Sequence, residues 1–341
     1  MYFNLVLLGF GNVGQALIRL LSKKEDELHS RYGISFSVTG ISTSSHGLAV
    51  QPSGLDMEKA LELKENNENL SAMSISPYPQ DNFDLIKRSN GNVLFENTPV
   101  DHKTGQPAMD HIRSALNAGM HVITANKGPI VHGFQELSSL AKDNGKNFFF
   151  ESTVMDGAPI FSLFRDALPA ANLLSFRGIL NSTTNLILTR MESGESFEEA
   201  VQYAQSIGIA ETDPSGDVDG WDSAIKVSAL VTVLMGKSLT PQQVDRQGIS
   251  FLDLEKIQEA RKDGKRWKLV CSASREGEEI VAKVAPEIVS MTSTLYNTEG
   301  TTSIVEFETD VLGKLTLVEK DPGPETTAYG LLADFINAVR K

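Results

Sequence analysis

The residues with the clearest chemical potential lie in one stretch, Glu211–Lys226. Five carboxylates are crowded into it and are interrupted by one proline and two glycines, which predicts an irregular loop. These acidic residues are Glu211, Asp213, Asp217, Asp219 and Asp222. Asp222 and Lys226 are four positions apart, so they share one face of the helix that follows. A lysine on the first turn of a buried helix, with acids just upstream, is where we expect a shifted pKa.

Two interpretations of the Asp222–Lys226 pair are open. As a solvated surface pair it would contribute only about 0.3–0.5 kcal/mol. However, the helix that continues through Ile225–Met235 is apolar on nearly every side and is expected to be buried. A charged side chain on such a helix favours a functional role.

A glycine-rich motif lies near the N-terminus. It follows a short apolar run, Leu5–Leu8, and precedes a helical segment that starts at Gln15. Between a strand and a helix, the pattern G-x-G-x-x-G permits a tight turn and lets a pyrophosphate approach the helix N-terminus. The alternative is a glycine-rich turn without a ligand. The predicted dinucleotide contacts are Gly9, Phe10, Gly11, Asn12, Val13 and Gly14.

The segment after the second predicted strand, Ile34–Ile41, bears on the choice of cofactor. An acidic residue there would hydrogen-bond the ribose 2′-hydroxyl of NAD. The sequence instead offers hydroxyl groups and a histidine, which can accommodate a 2′-phosphate, although it offers no arginine. We therefore predict that NADP is preferred over NAD, with Ser42 and Thr43 among the contacts.

Strands and helices alternate over residues 1–150, which predicts an α/β fold with a Rossmann-type doubly wound, mostly parallel sheet. The loops after two of its strands are candidate ligand contacts, because open α/β sheets bind ligands at strand ends. Asn97 and Thr98 follow one strand, and Lys127 follows another. Lys127 can contact cofactor or substrate, or it can be an exposed loop lysine.

The pattern changes after residue 150. Strand-like segments over residues 173–179, 267–274, 279–286, 302–308 and 314–319 predict a second, antiparallel sheet in an α+β domain of residues 151–321. Small polar residues open a helix over Leu186–Met191, which suits a bound carboxylate. Simple N-capping by Ser182 or Thr183 is the alternative. Residues Ser196 and Glu199 form a capping box for the next helix.

Composition excludes several classes of partner. A net charge of −13 argues against nucleic acid and against an anionic membrane surface. The single cysteine, Cys271, rules out an internal disulfide and points to a reducing compartment. No apolar run approaches the roughly 18 residues of a membrane span, and no signal peptide is visible. No His or Cys spacing suits zinc. We expect a cytoplasmic protein that acts on a small molecule.

Four motifs together resemble the homoserine dehydrogenase family. They are G-F-G-N-V-G at 9–14, T-A-N-K at 124–127, G-I-L-N-S-T-T-N at 178–185 and A-E-T-D-P-S-G-D-V-D-G-W-D-S-A-I-K at 210–226. The resemblance implies reversible hydride transfer between L-homoserine and L-aspartate 4-semialdehyde in threonine and methionine biosynthesis. It also implies a homodimer, a substrate domain that mediates dimerisation, and a C-terminal helix, 322–341, that returns to the nucleotide domain. Regulation by threonine through a C-terminal regulatory domain is not expected.

The resemblance also implies roles for individual residues. Lys226 matches the general acid/base, Asp222 its supporting acid, and Lys127 a catalytic lysine near substrate and nicotinamide. The substrate contacts that it implies are Glu211 and Asp217 for the ammonium group, with Asn181, Thr183 and Thr184 near the carboxylate. Further cofactor contacts are Gly323 and Thr326. A monovalent cation, Na⁺ or K⁺, would be bound by Glu151, Val154, Asp156 and Ala158, although Met155 and Asp156 replace the small residues common there.

Two rival functions are compatible with parts of the sequence. Another dinucleotide enzyme acting on an amino acid, such as an aspartate or diaminopimelate dehydrogenase, would release ammonia. A non-catalytic NADP sensor would keep the Gly9–Gly14 turn but would not need Lys127, Asp222 and Lys226 together.

Overall fold

The computed structural model describes residues 1–340, so the last residue of the predicted segment 322–341 lies outside the described residues. The chain divides into two compact units. The first comprises Met1–Pro159 together with the chain from Gly323 on, and the second comprises Ile160–Pro322. The predicted domain limits, at residues 150 and 321, lie close to these boundaries.

Two six-stranded sheets form within residues 1–340, one in each unit. The strands are β1 (Tyr2–Leu8), β2 (Ser35–Ser42), β3 (Leu48–Val50), β4 (Val93–Glu96), β5 (His121–Thr124), β6 (Phe148–Phe149), β7 (Leu173–Ile179), β8 (Asp245–Arg246), β9 (Lys265–Glu276), β10 (Glu279–Ser290), β11 (Ser303–Thr309) and β12 (Gly313–Glu319).

The α-helices alternate with strands in the first unit and are more irregularly placed in the second. They are α1 (Asn12–Lys23), α2 (Glu25–Tyr32), α3 (Met57–Glu65), α4 (Asn82–Arg88), α5 (Ala108–Asn117), α6 (Gly128–Asp143), α7 (Ser182–Glu192), α8 (Phe197–Ser206), α9 (Ser215–Val218), α10 (Trp221–Leu234), α11 (Leu254–Lys262) and α12 (Pro324–Val339). No helix among these residues is long and apolar enough to cross a membrane.

The first sheet has the strand order β3-β2-β1-β4-β5-β6. All its neighbouring strands are parallel except β3, which pairs antiparallel with β2 at the edge. The predicted doubly wound, mostly parallel sheet is therefore confirmed, and β3 is an addition that no pattern indicates. The strand order reverses at β1, and open α/β sheets bind ligands at the carboxyl ends of strands beside such a point.

The C-terminal helix α12 belongs to the core of the first unit. Its Phe335 is fully buried and makes edge-to-face contacts with Phe3 and Phe95, at ring-centroid distances of 5.9 and 6.0 Å. Such aromatic pairs stabilise by about 0.5–1.5 kcal/mol beyond the area they bury. The helix therefore contributes to the first unit although more than 160 residues separate it in sequence from the rest of that unit.

The second sheet has the order β12-β11-β7-β9-β10-β8 and is antiparallel except where β8 runs parallel to β10. Residues alternate between the two faces of its middle strands. Those on one face are buried: Phe176, Gly178, Cys271, Ala273, Ala282 and Val284. Those on the other face are partly or fully exposed: Ser175, Arg177, Ser272, Ser274, Val281 and Lys283. Helix α10 packs on β9 and β10 and is buried over most of its length, as predicted.

Two predicted helix starts are wrong. The sequence pattern predicts a helix over residues 134–143, whereas α6 begins at Gly128, because Pro129 fits the first turn, where its missing N–H costs nothing. Helix α7 begins at Ser182 rather than Leu186, because Asn181 caps it. The capping box of Ser196 and Glu199 at the start of α8 is confirmed.

Candidate active site

The Asp222–Lys226 pair lies at the start of α10 in the second unit. Lys226 Nζ is 3.1 Å from Asp222 Oδ2 and donates to the carbonyl oxygen of Leu180 at 2.6 Å. The lysine and aspartate side chains are only 15% and 20% exposed. The pair is therefore not a solvated surface ion pair, and the lysine nitrogen is held in place by two acceptors.

Asn181 connects this pair to the acidic loop. Its Nδ2 donates to Asp217 Oδ1 at 2.6 Å and to Asp222 Oδ2 at 3.0 Å. Its Oδ1 accepts from the backbone N–H of Thr184 at 2.8 Å and so caps α7. Asn181, and not Ser182 or Thr183, is therefore the N-cap.

The carboxyl group of Asp217 lies in an unfavourable environment for negative charge. Burial raises the pKa of Asp217, and the nearby charge of Asp222 raises it further. Hydrogen bonds from Asn181 and Thr183 and the charge of Lys226 oppose this rise. A cation that binds beside Asp217 would reduce the electrostatic cost of the two carboxylates, so this site suits an ammonium group.

A tight turn brings these carboxylates together. Asp217 lies on the one-turn helix α9, and Gly220, with a φ of +81°, joins α9 to α10. Residues with positive φ are mostly glycine, because an L side chain is strained there. The spacing of Pro214, Gly216 and Gly220 in the sequence predicts an irregular loop, and the structure adds the short helix within it.

Other predicted substrate contacts are placed differently. Glu211 is exposed, and its backbone oxygen accepts from Gln205 Nε2 at 3.2 Å. The Thr184 hydroxyl donates to the carbonyl oxygen of Asn181 at 3.2 Å, so it serves the start of α7. Thr183 is buried and its hydroxyl contacts both Asp217 and the Ile209 carbonyl oxygen. Thr183 is therefore the threonine that adjoins the acidic cluster.

The three glycines of the N-terminal motif have distinct surroundings in the first unit. Gly9 has a φ of +91°, and a Cβ there would lie 2.2 Å from the Asn97 carbonyl oxygen. A Cβ on Gly14 would lie 2.6 Å from the Gly9 carbonyl oxygen, which reflects close packing of helix and strand. Gly11 has no atom within 4 Å of such a Cβ. The open space at Gly11, before the N-terminus of α1, is where a pyrophosphate fits.

A cleft of about 470 Å³ adjoins this turn. It is lined by Gly9, Phe10, Gly11, Ser42, Thr43, Ser44, Ser45, Lys64, Asn82, Asn97, Thr98, Pro99, Pro107 and His111. The first three, with Ser42, Thr43, Asn97 and Thr98, are predicted cofactor contacts, whereas Asn12, Val13 and Gly14 form the first turn of α1. Lys64, Asn82 and His111 are lining residues that no sequence motif indicates, because they come from α3, α4 and α5.

Polar atoms in the wall of the cleft are available for a ligand. Asn97 Nδ2 is buried and has no hydrogen-bond partner within the described part of the chain. Glu96 does not line the cleft: it is fully buried, and its Oε1 accepts from Thr98 Oγ1 and lies 3.4 Å from His111 Nδ1. An unpartnered buried N–H group costs about 1–3 kcal/mol, so a ligand acceptor at Asn97 would be stabilising. The cleft therefore suits a pyridine nucleotide.

Lys127, Gly323 and Thr326 are predicted cofactor contacts that do not line this cleft. Lys127 is half-buried and immediately precedes α6. The Thr326 hydroxyl accepts from the Gly323 N–H at 2.8 Å and lies 3.2 Å from Asp156 Oδ2. Gly323 and Thr326 thus form the start of α12.

The predicted cation segment forms a buried turn in the first unit. Glu151 and Asp334 are 4% and 1% exposed, and the Glu151 N–H donates to Asp334 Oδ2 at 2.7 Å. Asp156 has a φ of +35°, and the turn is closed by a 2.7 Å hydrogen bond from the Ala158 N–H to the Met155 carbonyl oxygen. No group of three or more His, Cys, Asp or Glu side chains suited to a metal occurs within residues 1–340.

Comparison with known families covers both units. Residues 159–336 match the family described as homoserine dehydrogenase. Residues 9–151 match the family described as homoserine dehydrogenase, NAD binding domain. Together the two matches cover most of the chain.

Individual relatives align over nearly their full length. The chain is 35% identical over 336 residues to the NAD(+)-dependent homoserine dehydrogenase of Pseudomonas canavaninivorans, covering 98% of this chain and 96% of the relative. It is 37% identical to the homoserine dehydrogenase of Methanocaldococcus jannaschii, covering 98% of each. A putative homoserine dehydrogenase structure from Archaeoglobus fulgidus matches with a TM-score of 0.88 at 30% identity, over 99% of this chain and 100% of that one. The chain therefore belongs to the homoserine dehydrogenase family of oxidoreductases, which act on a CH–OH group and bind a pyridine nucleotide.

Proposed function

We propose that this protein interconverts L-homoserine and L-aspartate 4-semialdehyde with Lys226 as the general acid/base. The observation that carries the proposal is the position of Lys226 Nζ, which is held by Asp222 and by the Leu180 carbonyl oxygen. A general base must be fixed within reach of the proton that it removes. The same proposal assigns the enzyme to threonine and methionine biosynthesis.

The proton chemistry follows from this pair. Oxidation of an alcohol releases a proton from its hydroxyl group, and a neutral Lys226 would accept it. Asp222 and the Leu180 carbonyl oxygen then stabilise the resulting ammonium group. In the reverse direction the ammonium group returns the proton to the aldehyde oxygen. The nicotinamide cofactor, when bound, supplies the hydride acceptor or donor.

Recognition of an amino acid requires a site for each of its charged groups. Asp217 is proposed to bind the substrate ammonium group, because burial beside Asp222 makes a cation favourable there, and Glu211, which is exposed, is proposed as a second contact on the family resemblance alone. The N-terminus of α7 is proposed for the carboxylate, since helix N-termini attract anions, and Thr183 would contribute its backbone N–H because its hydroxyl already contacts Asp217 and the Ile209 carbonyl oxygen. Asn181 is better suited to hold Asp217 and Asp222 in place than to bind substrate, because both sides of its amide are already engaged.

Lys127 is proposed as a second catalytic lysine. It lies three residues after the end of β5, at the edge of the sheet where α/β folds place ligand contacts. The assignment of its role is based on the T-A-N-K motif at 124–127.

The preference for NADP is also a proposal. Lys64 lines the cleft beside Ser44 and Ser45, and its Nζ is 3.0 Å from His46 Nδ1. A lysine with neighbouring hydroxyl groups can bind a 2′-phosphate, and no acidic residue in the cleft lining would repel it. The Pseudomonas relative is named as NAD(+)-dependent, which favours NAD as the alternative.

Three further parts of the proposal concern a bound ion, the oligomeric state and the cellular location. A Na⁺ or K⁺ ion at 151–158 is proposed because this segment resembles the cation-binding loop of homoserine dehydrogenases, and here it forms a tight turn closed by the hydrogen bond from the Ala158 N–H to the Met155 carbonyl oxygen. A homodimer is supported by the exposed sheet face around Ser272. A cytoplasmic location is supported by the single buried cysteine, Cys271.

The first experiment is to measure initial rates of L-homoserine oxidation with NADP and with NAD. Lys226→Ala should lower kcat by ~100-fold or more, because the proton acceptor is lost. Lys237→Ala is the matched control, since Lys237 is exposed and pairs with Glu279 in the same unit. Its kcat should stay within about twofold of the unaltered enzyme. Equal activity of Lys226→Ala and the control would assign the proton transfer to Lys127 or water.

The same assay tests the cofactor assignment. Lys64→Ala should lower kcat/KM for NADP by ~10–100-fold and leave that for NAD nearly unchanged, because a charge-assisted contact to phosphate is lost. Lys59→Ala, an exposed change on the same helix, is the control. An unaltered enzyme that prefers NAD would contradict the NADP proposal. Release of ammonia without homoserine turnover would instead identify an amino-acid dehydrogenase.

A further inference from the structure

The segment after β8 packs directly on the turn between α9 and α10. Strand β8 pairs with β10 through Asp245 and Arg246, and the Gln247 N–H donates to the Val284 carbonyl oxygen at 2.8 Å. The segment is therefore fixed to the edge of the second sheet. None of the four sequence motifs that resemble homoserine dehydrogenase includes this segment.

Arg246 contacts the turn on both sides of Gly220. Its Nη1 donates to the carbonyl oxygen of Asp219, and its guanidinium carbon lies 3.7 Å from the ring centroid of Trp221. The planar guanidinium group can make both contacts at once, which a lysine cannot. One side chain thus holds the residues before and after the left-handed glycine.

Backbone contacts reinforce this attachment. The Ile249 N–H donates to the Val218 carbonyl oxygen at 2.8 Å. A Cβ on Gly248 would lie 2.3 Å from the same oxygen, so the two backbones are in close contact. The turn 218–220 therefore has little freedom to move away from the segment 246–249.

The position of this turn determines how the carboxylates are arranged. It joins Asp217 on α9 to Asp222 and Lys226 on α10. Asn181 Nδ2 spans the two carboxylates with hydrogen bonds of 2.6 and 3.0 Å, so a shift of either helix lengthens one of them. Displacement of a reacting group by about 1 Å can lower a rate by about 100-fold.

We propose that Arg246 is a positioning residue, which sets the place of Asp217 relative to the Asp222–Lys226 pair by holding the turn at Gly220. This inference rests on the proposed function for the identity of the substrate. It adds a residue that touches neither substrate nor cofactor in the proposed scheme and acts through the Asp219 carbonyl oxygen and the Trp221 ring.

The kinetic test compares Arg246→Met and Arg246→Lys with Arg275→Met. Arg275 lies on β9 in the same unit and also donates to a backbone oxygen, that of Met235, away from the acidic loop. We expect Arg246→Met to raise KM for L-homoserine and to lower kcat, each by ~10-fold, while KM for NADP changes less than about twofold. Arg246→Lys should recover only part of the loss, because it keeps the charge but not the planar group. Values for Arg246→Met equal to those for Arg275→Met would overturn the proposal.

A spectroscopic measurement tests the position of the turn without any substrate. The chain has two tryptophans, so Trp267→Phe leaves Trp221 as the only fluorophore of its type. In that background Arg246→Met should make Trp221 emission more accessible to acrylamide, because the covering guanidinium group is lost. Unchanged quenching would overturn the proposal.

If Arg246→Met does not fold, as judged by circular dichroism, Arg246→Lys provides the same comparison. Absence of homoserine turnover in the unaltered enzyme would contradict the proposed function, and the quenching result would still decide whether Arg246 holds the turn.

Discussion

Asn181 uses both ends of its amide group inside the protein. Its oxygen accepts from the Thr184 N–H, and its nitrogen donates to Asp217 and Asp222. An amide offers two donors and one acceptor oxygen, and here the two donors reach two different carboxylates. The residue therefore reduces the repulsion between two acids that the sequence places five positions apart. An aspartate at this position would add a third carboxylate and remove both donors.

Lys268 is a buried lysine outside the candidate site. Its side chain is fully buried, and Nζ donates to Asn185 Oδ1 at 3.0 Å and to the Thr298 carbonyl oxygen at 2.5 Å. Burial, with a smaller contribution from the charge of Arg266, lowers the pKa of Lys268 to about 8. The cost of burying the charge is therefore only partly offset by its two acceptors.

We predict that Lys268 makes folding stability rise with pH between about 8 and 10.5. The unfolded chain, with the higher pKa, binds more protons in this window, so the free energy of unfolding increases as pH rises. The contribution of this lysine should change by about 2–3 kcal/mol from pH 7 to pH 10. Urea unfolding at both pH values measures this contribution as the difference in the free energy of unfolding between the unaltered protein and Lys268→Met.

Two details make this comparison selective. Burial raises the pKa of Cys271 to about 11, which makes stability fall with pH above about 9, and this effect cancels when the two proteins are compared. Lys265→Met, an exposed change on the same strand, controls for loss of one positive charge. A difference between the unaltered protein and Lys268→Met that does not vary with pH would contradict the prediction.

At the scale of single elements, the β1–α1 turn contains one glycine that the fold requires and another that leaves space for a ligand. Gly9 is required by the backbone, because its φ is +91° and a Cβ would meet the Asn97 carbonyl oxygen. At position 11, neither the φ of −83° nor the neighbouring atoms require a glycine. Two glycines of the same sequence motif are therefore present for two different physical reasons.

We predict that Gly9→Ala and Gly11→Ala have different consequences. Gly9→Ala should lower the free energy of unfolding by about 2–4 kcal/mol, through strain and overlap. Gly11→Ala should leave thermal unfolding nearly unchanged and weaken NADPH binding ~10-fold or more, because its methyl group occupies the space of the pyrophosphate. Thermal denaturation and fluorescence titration with NADPH measure the two effects. NADPH binding by Gly11→Ala that equals that of the unaltered protein would rule out a pyrophosphate at this turn.

At the scale of the whole molecule, the net charge of −13 opposes the approach of any anionic ligand. A dinucleotide carries at least two phosphate charges, so its binding requires local attraction. The first unit offers Lys64 in the cleft and the N-terminus of α1 for this purpose. Binding should therefore depend on these local groups and not on the overall field.

We predict a homodimer that forms through the exposed face of the second sheet. Light scattering should give a mass near twice the chain mass of 37.1 kDa. Ser272→Arg should yield a monomer that still folds, because it adds a third long cation between Arg177 and Lys283 and so blocks close contact between two copies. Ser30→Arg, on exposed helix α2 of the first unit, is the control and should remain dimeric. A monomeric unaltered protein, or a dimeric Ser272→Arg, would contradict this assignment.

Local patterns in the sequence determined much of the architecture and the main candidate residues. The Gly9–Gly14 turn, the capping box at α8 and the buried helix after Lys226 depend on residues within a few positions of each other. Hydrogen bonds and apolar periodicity at such short range indicate nearly the same local structure in any fold. The resemblance to homoserine dehydrogenases likewise depended on four contiguous motifs.

Tertiary structure alone decided which distant residues meet at these motifs. Lys64 reaches the cleft from α3, Asn181 connects α7 to two carboxylates, and Arg246 contacts a turn that is 27 residues earlier in the chain. Glu211 has every sequence feature of the acidic cluster but lies exposed. These outcomes depend on strand order and on the path of loops, which local patterns do not specify. The sequence by itself therefore determined the family and the candidate residues, and the fold decided which neighbours hold their side chains in place.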